Sequence, residues 1–152
     1  ASDPFDPTPE VARAQWLRTS GLRSSVEALT TAMGRDPFNV GLPRMRAKLH
    51  LDLAESTGDD GDYLAAVDDG RRSLELYPLD PAGVVSLADV QAVAGEALGS
   101  DKLLREALTN YDRAIQLDNQ RLSWETLHRM RVGEKDEILA KIRRVRELLA
   151  EP

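Results

Sequence analysis

The sequence predicts an all-α fold, a right-handed superhelix of three helical hairpins followed by a C-terminal capping helix. The first observation is an internal repeat, because three similar segments, 32–37, 73–78 and 114–119, begin 41 residues apart. The second observation is a small residue seven positions before each segment, at Ser25, Ala66 and Ala107. A fixed period of this size is typical of stacked repeats, and helical spacing of apolar residues supports the prediction.

Length and composition fit one folded domain that works without cysteine chemistry. The chain has 152 residues, of which 41% are hydrophobic and 30% are charged. Its net charge of -6 argues against nucleic-acid binding, which needs a basic surface. The absence of Cys excludes a disulfide framework, a thiolate nucleophile and a Cys zinc site, and fits the cytosol and the periplasm alike.

No segment of the sequence is predicted to cross or enter a membrane. No apolar run approaches the roughly 20 residues that span a bilayer, and no signal peptide opens the chain. The first residue is Ala rather than Met, which suggests a processed product or a domain of a longer protein.

The first hairpin is predicted over residues 8–37, after an irregular leader at 1–7. Thr8 and Pro9 read as the N-cap and first position of a helix that runs to about residue 19. We expect the Ser20-Gly21 pair to break the chain before a second helix over 22–34. Pro37 ends that helix, since the residue before a proline disfavours the helical conformation.

The second and third hairpins are predicted over 40–78 and 81–119. In the second, helices at 40–56 and 63–76 are joined by a polar loop at 57–62. In the third, Asp80 is the predicted N-cap of a helix at 81–97, and Ser100 is that of a helix at 101–117.

Residues 120–152 are predicted to form a connecting segment and a capping helix. Trp124, Leu127 and Met130 are spaced three apart, which favours a short helix or turn in the connection. The last helix, at 134–150, has a clear apolar face that includes Ile138 and Ile142. We expect it to cover the open end of the stack, as repeat proteins require. The alternative is a helix that binds a partner.

The repeat pattern resembles that of tetratricopeptide repeats (TPR). In the second helix of each repeat, that family has a small residue, a large residue four positions later, a second small residue three positions after that, and then a proline. In the first repeat these are Ser25, Leu29, Ala32 and Pro37. The second repeat departs from it at Gly70 and the third at Asn119. The resemblance covers about 8–119 and implies a non-catalytic scaffold that binds a protein or peptide segment on its concave face.

The repeat length also departs from the family, in which it is usually about 34 residues. Here the period is 41 residues. We expect the additional residues to lie in the turns within the hairpins, around 57–62 and 98–101.

A second resemblance concerns the run 108–121, the Trp124-Glu125 pair and the charged last helix. These features are similar to the soluble C-terminal tails of O-antigen ligase or polymerase-like membrane proteins. That resemblance implies an alternative function, a regulatory or substrate-positioning appendage tethered to a bacterial inner-membrane glycan transferase. The side of the membrane stays open.

No catalytic, cofactor or metal site is predicted. His50 and His128 are the only histidines, and no nucleophile and base can be assigned to either, so we expect structural or solvent-exposed roles. Asp59, Asp60 and Asp62 lack the spacing of a calcium loop, and helix capping explains them better. The glycines form no phosphate-binding loop.

The TPR resemblance implies that the first helix of each hairpin lines the concave groove. The groove candidates are Arg18, Arg44, Lys48, Asp52, Val85, Asp89 and Val93. Arg44 and Lys48 are one turn apart and would bind a carboxylate or an acidic peptide segment, the alternative being an ordinary solvated face.

Chaperone-binding members of the family clamp a peptide tail with Lys, Asn and Arg. The comparable positions here hold Glu10, Ala14, Ala82 and Ser86. We therefore expect no chaperone-tail clamp in this chain.

Overall fold

A computed structural model of the chain describes residues 8–121 and 129–150, and over these ranges it is all-α, as predicted. The helices are α1 (Thr8–Arg35), α2 (Gly41–Thr57), α3 (Asp60–Leu76), α4 (Pro81–Leu98), α5 (Asp101–Asn119) and α6 (Val132–Ala150). The predictions for the leader 1–7 and for Trp124, Leu127 and His128 lie outside the described residues.

The helices form two layers that alternate along the chain. Each helix packs against the next one in sequence, and α2 also contacts α4, which in turn contacts α6. Over the described ranges the backbones of α1, α3 and α5 do not approach one another in this way, although an Arg71–Glu106 ion pair at 2.8 Å joins α3 to α5. Because α2, α4 and α6 crowd together while α1, α3 and α5 are spread apart, the stack curves toward the first group. The concave face therefore belongs to α2, α4 and α6.

The turns within the hairpins repeat with the period of the sequence. Gly58 and Gly99 follow α2 and α4 in the left-handed conformation, with φ of 70° and 60°. Asp59 then caps α3 by accepting a hydrogen bond from the N–H of Gly61 at 2.8 Å, as the capping interpretation predicted. Ser100 caps α5 in the same way through the N–H of Leu103. The predicted N-cap Ser100 is thus confirmed.

The prediction that the additional residues of the repeat lie in these turns is wrong. Only two residues separate α2 from α3 and α4 from α5. The residues are taken up by helices of 17 to 19 residues. In α3, Asp60 and Asp62 favour helix over loop, because they lie beside the positive end of the helix dipole.

The predicted break at Ser20-Gly21 is also wrong, since α1 is one continuous helix of 28 residues. The 41-residue period places the turn at Leu17 and Arg18, where the later hairpins have Gly and then Asp or Ser. Leucine adopts the left-handed conformation only at a cost of about 1–2 kcal/mol, and arginine has no acceptor for an N-cap. A helical glycine costs only about 1 kcal/mol relative to alanine, so Gly21 does not end the helix.

Small residues allow the hairpin helices to approach closely, as the repeat pattern predicted. Ala66, Ala107 and Ala114 have no exposed surface, and Ser73 is also buried. Gly70 stands where the family has a large residue. A Cβ at Gly70 would lie 2.9 Å from Cδ1 of Leu87, so the leucine of α4 occupies the missing side chain's space.

Ion pairs connect the helices around this core. Arg46 of α2 donates to both carboxylate oxygens of Asp69, at 2.8 and 2.6 Å, and to Oγ1 of Thr30 in α1 at 2.9 Å. The hydrogen bond with Asp69 raises the pKa of Arg46 above its usual value, although burial acts against it. His50 contacts Asp62 of α3 with 2.9 Å between Nδ1 and Oδ1, so this histidine joins two helices.

The capping helix α6 is held by apolar and ionic contacts. Ile138, Ile142 and Val145 are buried in a cluster with Leu104 and Tyr111. Near the end of α5, Asp118 is fully buried and accepts a hydrogen bond from the N–H of Met130 at 2.6 Å. Nζ of Lys135 in α6 lies 2.7 Å from Oδ2 of the same carboxylate.

Candidate functional site

The concave face has two cavities between α4 and α6. The first, about 430 Å³, lies toward the N-terminus of α4, and its apolar lining includes Val85, Met130 and Ile138. The second, about 370 Å³, lies toward the C-terminus of α4 and is lined by Ala92, Val93, Asp89, Glu96, Tyr111, Lys141, Arg144, Val145 and Leu148. Each cavity is large enough for one or two side chains of a partner.

An ion pair separates the two cavities. Nζ of Lys141 lies 2.9 Å from both carboxylate oxygens of Asp89, so the pair spans the groove from α6 to α4. Beneath it, the hydroxyl of Tyr111 donates to Asp89 at 2.6 Å. Burial raises the pKa of Tyr111 well above its usual range, and the hydrogen bond to Asp89 and its negative charge add to the effect. The carboxylate is therefore fixed from below, while Lys141 remains at the surface.

A second ion pair closes the far end of the smaller cavity. Arg144 of α6 donates to Glu96 of α4 at 2.9 Å, and both side chains are about half exposed. Between the two ion pairs, Val93 remains 39% exposed. The smaller cavity thus has an acidic edge on α4 and a basic edge on α6, with apolar surface between them, whereas Glu134 and Glu137 of α6 line the first cavity.

The predicted groove residue Arg44 has a structural environment. Its Nε donates to Oγ of Ser73 at 2.8 Å and its Nη2 pairs with Asp80. Asp80 also caps α4, as predicted, by accepting from the N–H groups of Ala82 and Gly83. The guanidinium of Arg44 thus connects α2, α3 and the start of α4, and its charge is already matched by a carboxylate.

Three of the seven predicted groove residues, Val85, Asp89 and Val93, line the two cavities. Lys48 is exposed and Asp52 is partly exposed on α2, while Val85, Asp89 and Val93 lie on α4 beside the cavities. Arg18 is exposed on α1, which over the described ranges contacts α2 but neither α4 nor α6. Within the described part of the chain, Arg18 therefore does not lie on a helix that contacts the cavity-forming helices α4 and α6.

Sequence reasoning missed Lys141, Arg144 and Tyr111 as groove residues. The repeat pattern identifies Tyr111 only as the large residue of the third repeat. Residues of α6 could not be placed because the connection before it, around 119–131, does not follow the 41-residue period. The signal that would have suggested the pairing is the placement of opposite charges, acidic at Asp89 and Glu96 on α4 and basic at Lys141 and Arg144 on α6.

Two further properties hold for the part of the chain that the structure describes. None of its helices has the length and apolar character to cross a bilayer. Residues 8–121 and 129–150 also include no group of three or more His, Cys, Asp or Glu side chains that could hold a metal ion.

Comparison with known proteins supports the architecture. No family model matches the chain, and no curated protein matches it significantly. Among solved structures, it is similar to the first TPR of Spaghetti (RPAP3) bound to the HSP90 peptide SRMEEVD, with a TM-score of 0.58 and 19% identity. The match covers 91% of this chain and 87% of the other. Nothing in these comparisons supports the O-antigen ligase resemblance. The chain has the fold of a TPR-like all-α superhelix.

Proposed function

We propose that the chain is a non-catalytic scaffold that binds a peptide segment of a partner protein in the groove between α4 and α6. The observation that carries the proposal is the pair of cavities on one concave face, with the Asp89–Lys141 ion pair between them. The similar solved structure supports a peptide ligand, since it is a TPR domain with a bound peptide.

The shape of the groove favours a ligand with two apolar side chains and at least one charge between them. One apolar side chain would fill the space beside Val85 and Ile138, and the other the space beside Val93 and Val145. A ligand carboxylate between them would share the partly exposed ammonium of Lys141 with Asp89, which already accepts from it through both carboxylate oxygens. Because the groove is built from packed helices, little conformational ordering opposes binding.

The proposal is tested by selecting peptides from a displayed library on the purified chain and measuring their affinities by calorimetry. Val93→Glu introduces a charge at a partly exposed position and should lower the affinity about tenfold or more. Leu64→Glu is the matched control, since Leu64 is 51% exposed on α3, outside the concave layer. Equal effects of the two changes, or none from Val93→Glu, would contradict the groove.

The chaperone-derived peptide of the similar structure is a second probe. We propose that this chain does not capture it, because the comparable positions hold Ala82 and Ser86, and neither supplies the cationic or amide donors of a carboxylate clamp. Titration with SRMEEVD should show no saturable binding. Saturable binding that Lys48→Glu abolishes would show that a clamp exists and that Lys48 belongs to it.

A further inference from the structure

The turns between successive hairpin units expose large apolar side chains at one end of the stack. Phe38, between α1 and α2, is 81% exposed, and Leu79, between α3 and α4, is 67% exposed. The two residues are 41 positions apart and so occupy the same place in successive repeats. Tyr77, in the same turn as Leu79, is 62% exposed. Folding leaves these side chains in solvent, which a core or packing role does not explain.

The two turns lie side by side and form one surface. A cavity of about 810 Å³ is lined by Val40 of the first turn, by Tyr77 and Leu79 of the second, and by Leu117 near the end of α5. Arg121, which follows α5, lies at its edge. Phe38 does not line this cavity but lies two residues before Val40 in the same turn. We call Phe38, Val40, Tyr77, Leu79 and Leu117 together the turn surface.

Several arginines flank the turn surface. Four arginines, Arg35, Arg121, Arg129 and Arg131, lie at this end of the stack, in or beside the connections that join the units. Of the carboxylates there, Asp80 pairs with Arg44 and buried Asp118 with Lys135. Exposed Asp36 and Glu134 offset part of the arginine charge, so the excess of positive charge is modest.

The opposite end of the stack has the reverse character. Its turns, after α2 and α4, hold Asp59, Asp60 and Asp101 and no large exposed apolar side chain over the described ranges. These two turns differ in character from the turn surface, although Trp16 and Leu17, at the matching repeat position of α1, are also exposed, at 67% and 56%.

We infer that the turn surface docks on an anionic phospholipid bilayer, separately from the peptide groove. Phenylalanine and leucine at the tips of turns can enter the boundary between headgroups and acyl chains, where tyrosine is also favoured. Arginines beside them are attracted to anionic lipid over about one Debye length. The combination of inserted apolar tips and flanking cations supplies the two contributions that stable peripheral binding requires.

The experiment uses sedimentation of the purified chain with vesicles of phosphatidylcholine alone or mixed with phosphatidylglycerol. We expect binding to the anionic vesicles that weakens as salt is raised, and much less binding to the neutral ones. Phe38→Ser combined with Leu79→Ser should reduce the partition coefficient about tenfold or more. Arg35→Gln combined with Arg131→Gln, at exposed positions that line neither groove cavity, should reduce it about fivefold for each arginine.

The matched control combines Leu64→Ser with Leu139→Ser. These leucines are 51% and 47% exposed on α3 and α6, and their replacement should leave vesicle binding unchanged. Because the chain has no Cys, a dye attached to one introduced cysteine can report whether that position enters the bilayer. An environment-sensitive dye on Leu79→Cys should shift to the blue with anionic vesicles, while the same dye on Asp60→Cys should not.

Three results would overturn the inference. The first is no binding to anionic vesicles, and the second is binding that the Phe38 and Leu79 changes leave intact. The third is a loss of self-association in those variants without lipid, which would identify the surface as an interface between copies. Val93→Glu should bind vesicles normally, so failure of the groove and failure of the turn surface are distinguishable.

Discussion

Gly58 and Gly99 end two successive concave-layer helices in the same left-handed conformation. Their φ angles are 70° and 60°, and no other residue in the described ranges has a positive φ. A Cβ at either position would meet no neighbouring atom within 4 Å. Space therefore does not prevent substitution, and the requirement for glycine at both turns is conformational.

The first prediction concerns these turns. Gly99→Ala should lower the free energy of unfolding by about 1–2 kcal/mol, because alanine carries the left-handed penalty. Gly21→Ala is the control, since Gly21 lies inside α1 and a Cβ there would meet no atom within 4 Å. That change should raise stability by about 0.5–1 kcal/mol. Urea denaturation measures both, and a destabilising Gly21→Ala would show that α1 is not continuous there.

The second prediction tests the close approach of α4 and α5. Ala107 has no exposed surface, so Ala107→Leu should overpack the hairpin and lower stability by about 1–3 kcal/mol. Ala97→Leu is the matched control at an exposed position of α4. Thermal melting of both variants gives the answer. Unchanged melting of Ala107→Leu would mean that the assigned repeat register is incorrect.

Local chemistry explains why much of the fold could be predicted from the sequence. The N-caps at Asp80 and Ser100 and the small residues at Ala66 and Ala107 depend on short-range geometry that recurs with the period. The same reasoning failed at Ser20-Gly21, because a glycine inside a helix is tolerated when no cap follows it. The decisive residue is Leu17, which stands where the later turns have glycine.

The candidate site was harder to predict because it depends on contacts between distant parts of the chain. Asp89 and Val93 could be placed on the concave face from the family pattern. Their partner Lys141 could not, because the connection before α6 does not continue the repeat. The sequence identifies Arg44 as a charge on that face, but its contact with Asp80 requires knowledge of how α2 meets the start of α4.

The third prediction concerns Asp118. Burial would raise the pKa of this carboxyl, but hydrogen bonds from Lys135 and the N–H of Met130, with the charges of Lys135 and Arg129, hold it below its ordinary value. A lowered pKa means that the carboxylate stabilises the fold above the ordinary Asp value of about 3.9. This stabilisation is lost as the pH falls from there through the folded-state pKa.

Asp118→Asn should therefore lower stability by about 1–3 kcal/mol at neutral pH, and the difference from the unchanged chain should shrink in acid. Urea denaturation across the acidic range measures this dependence. Asp112→Asn is the control, because Asp112 is exposed on the same helix. A difference that stays constant down to the lowest pH would contradict the role assigned to the charge.

The fourth prediction concerns the hydroxyl beneath the groove. Tyr111→Phe removes the hydrogen bond to Asp89 and should lower stability by about 1–3 kcal/mol, since the acceptor is charged. Tyr77→Phe, at an exposed position, should have little effect.

The same residue gives an alkaline signature. Because the folded state raises the pKa of Tyr111, the unfolded chain releases this proton first, near the usual value of about 10. The stabilisation is present below that pH and is lost as the pH rises above it. Ultraviolet difference absorbance should show one tyrosine that ionises only when the chain unfolds, and Tyr111→Phe should remove that delayed step. Ionisation of all tyrosines before unfolding would mean that Tyr111 is not held against Asp89 in solution.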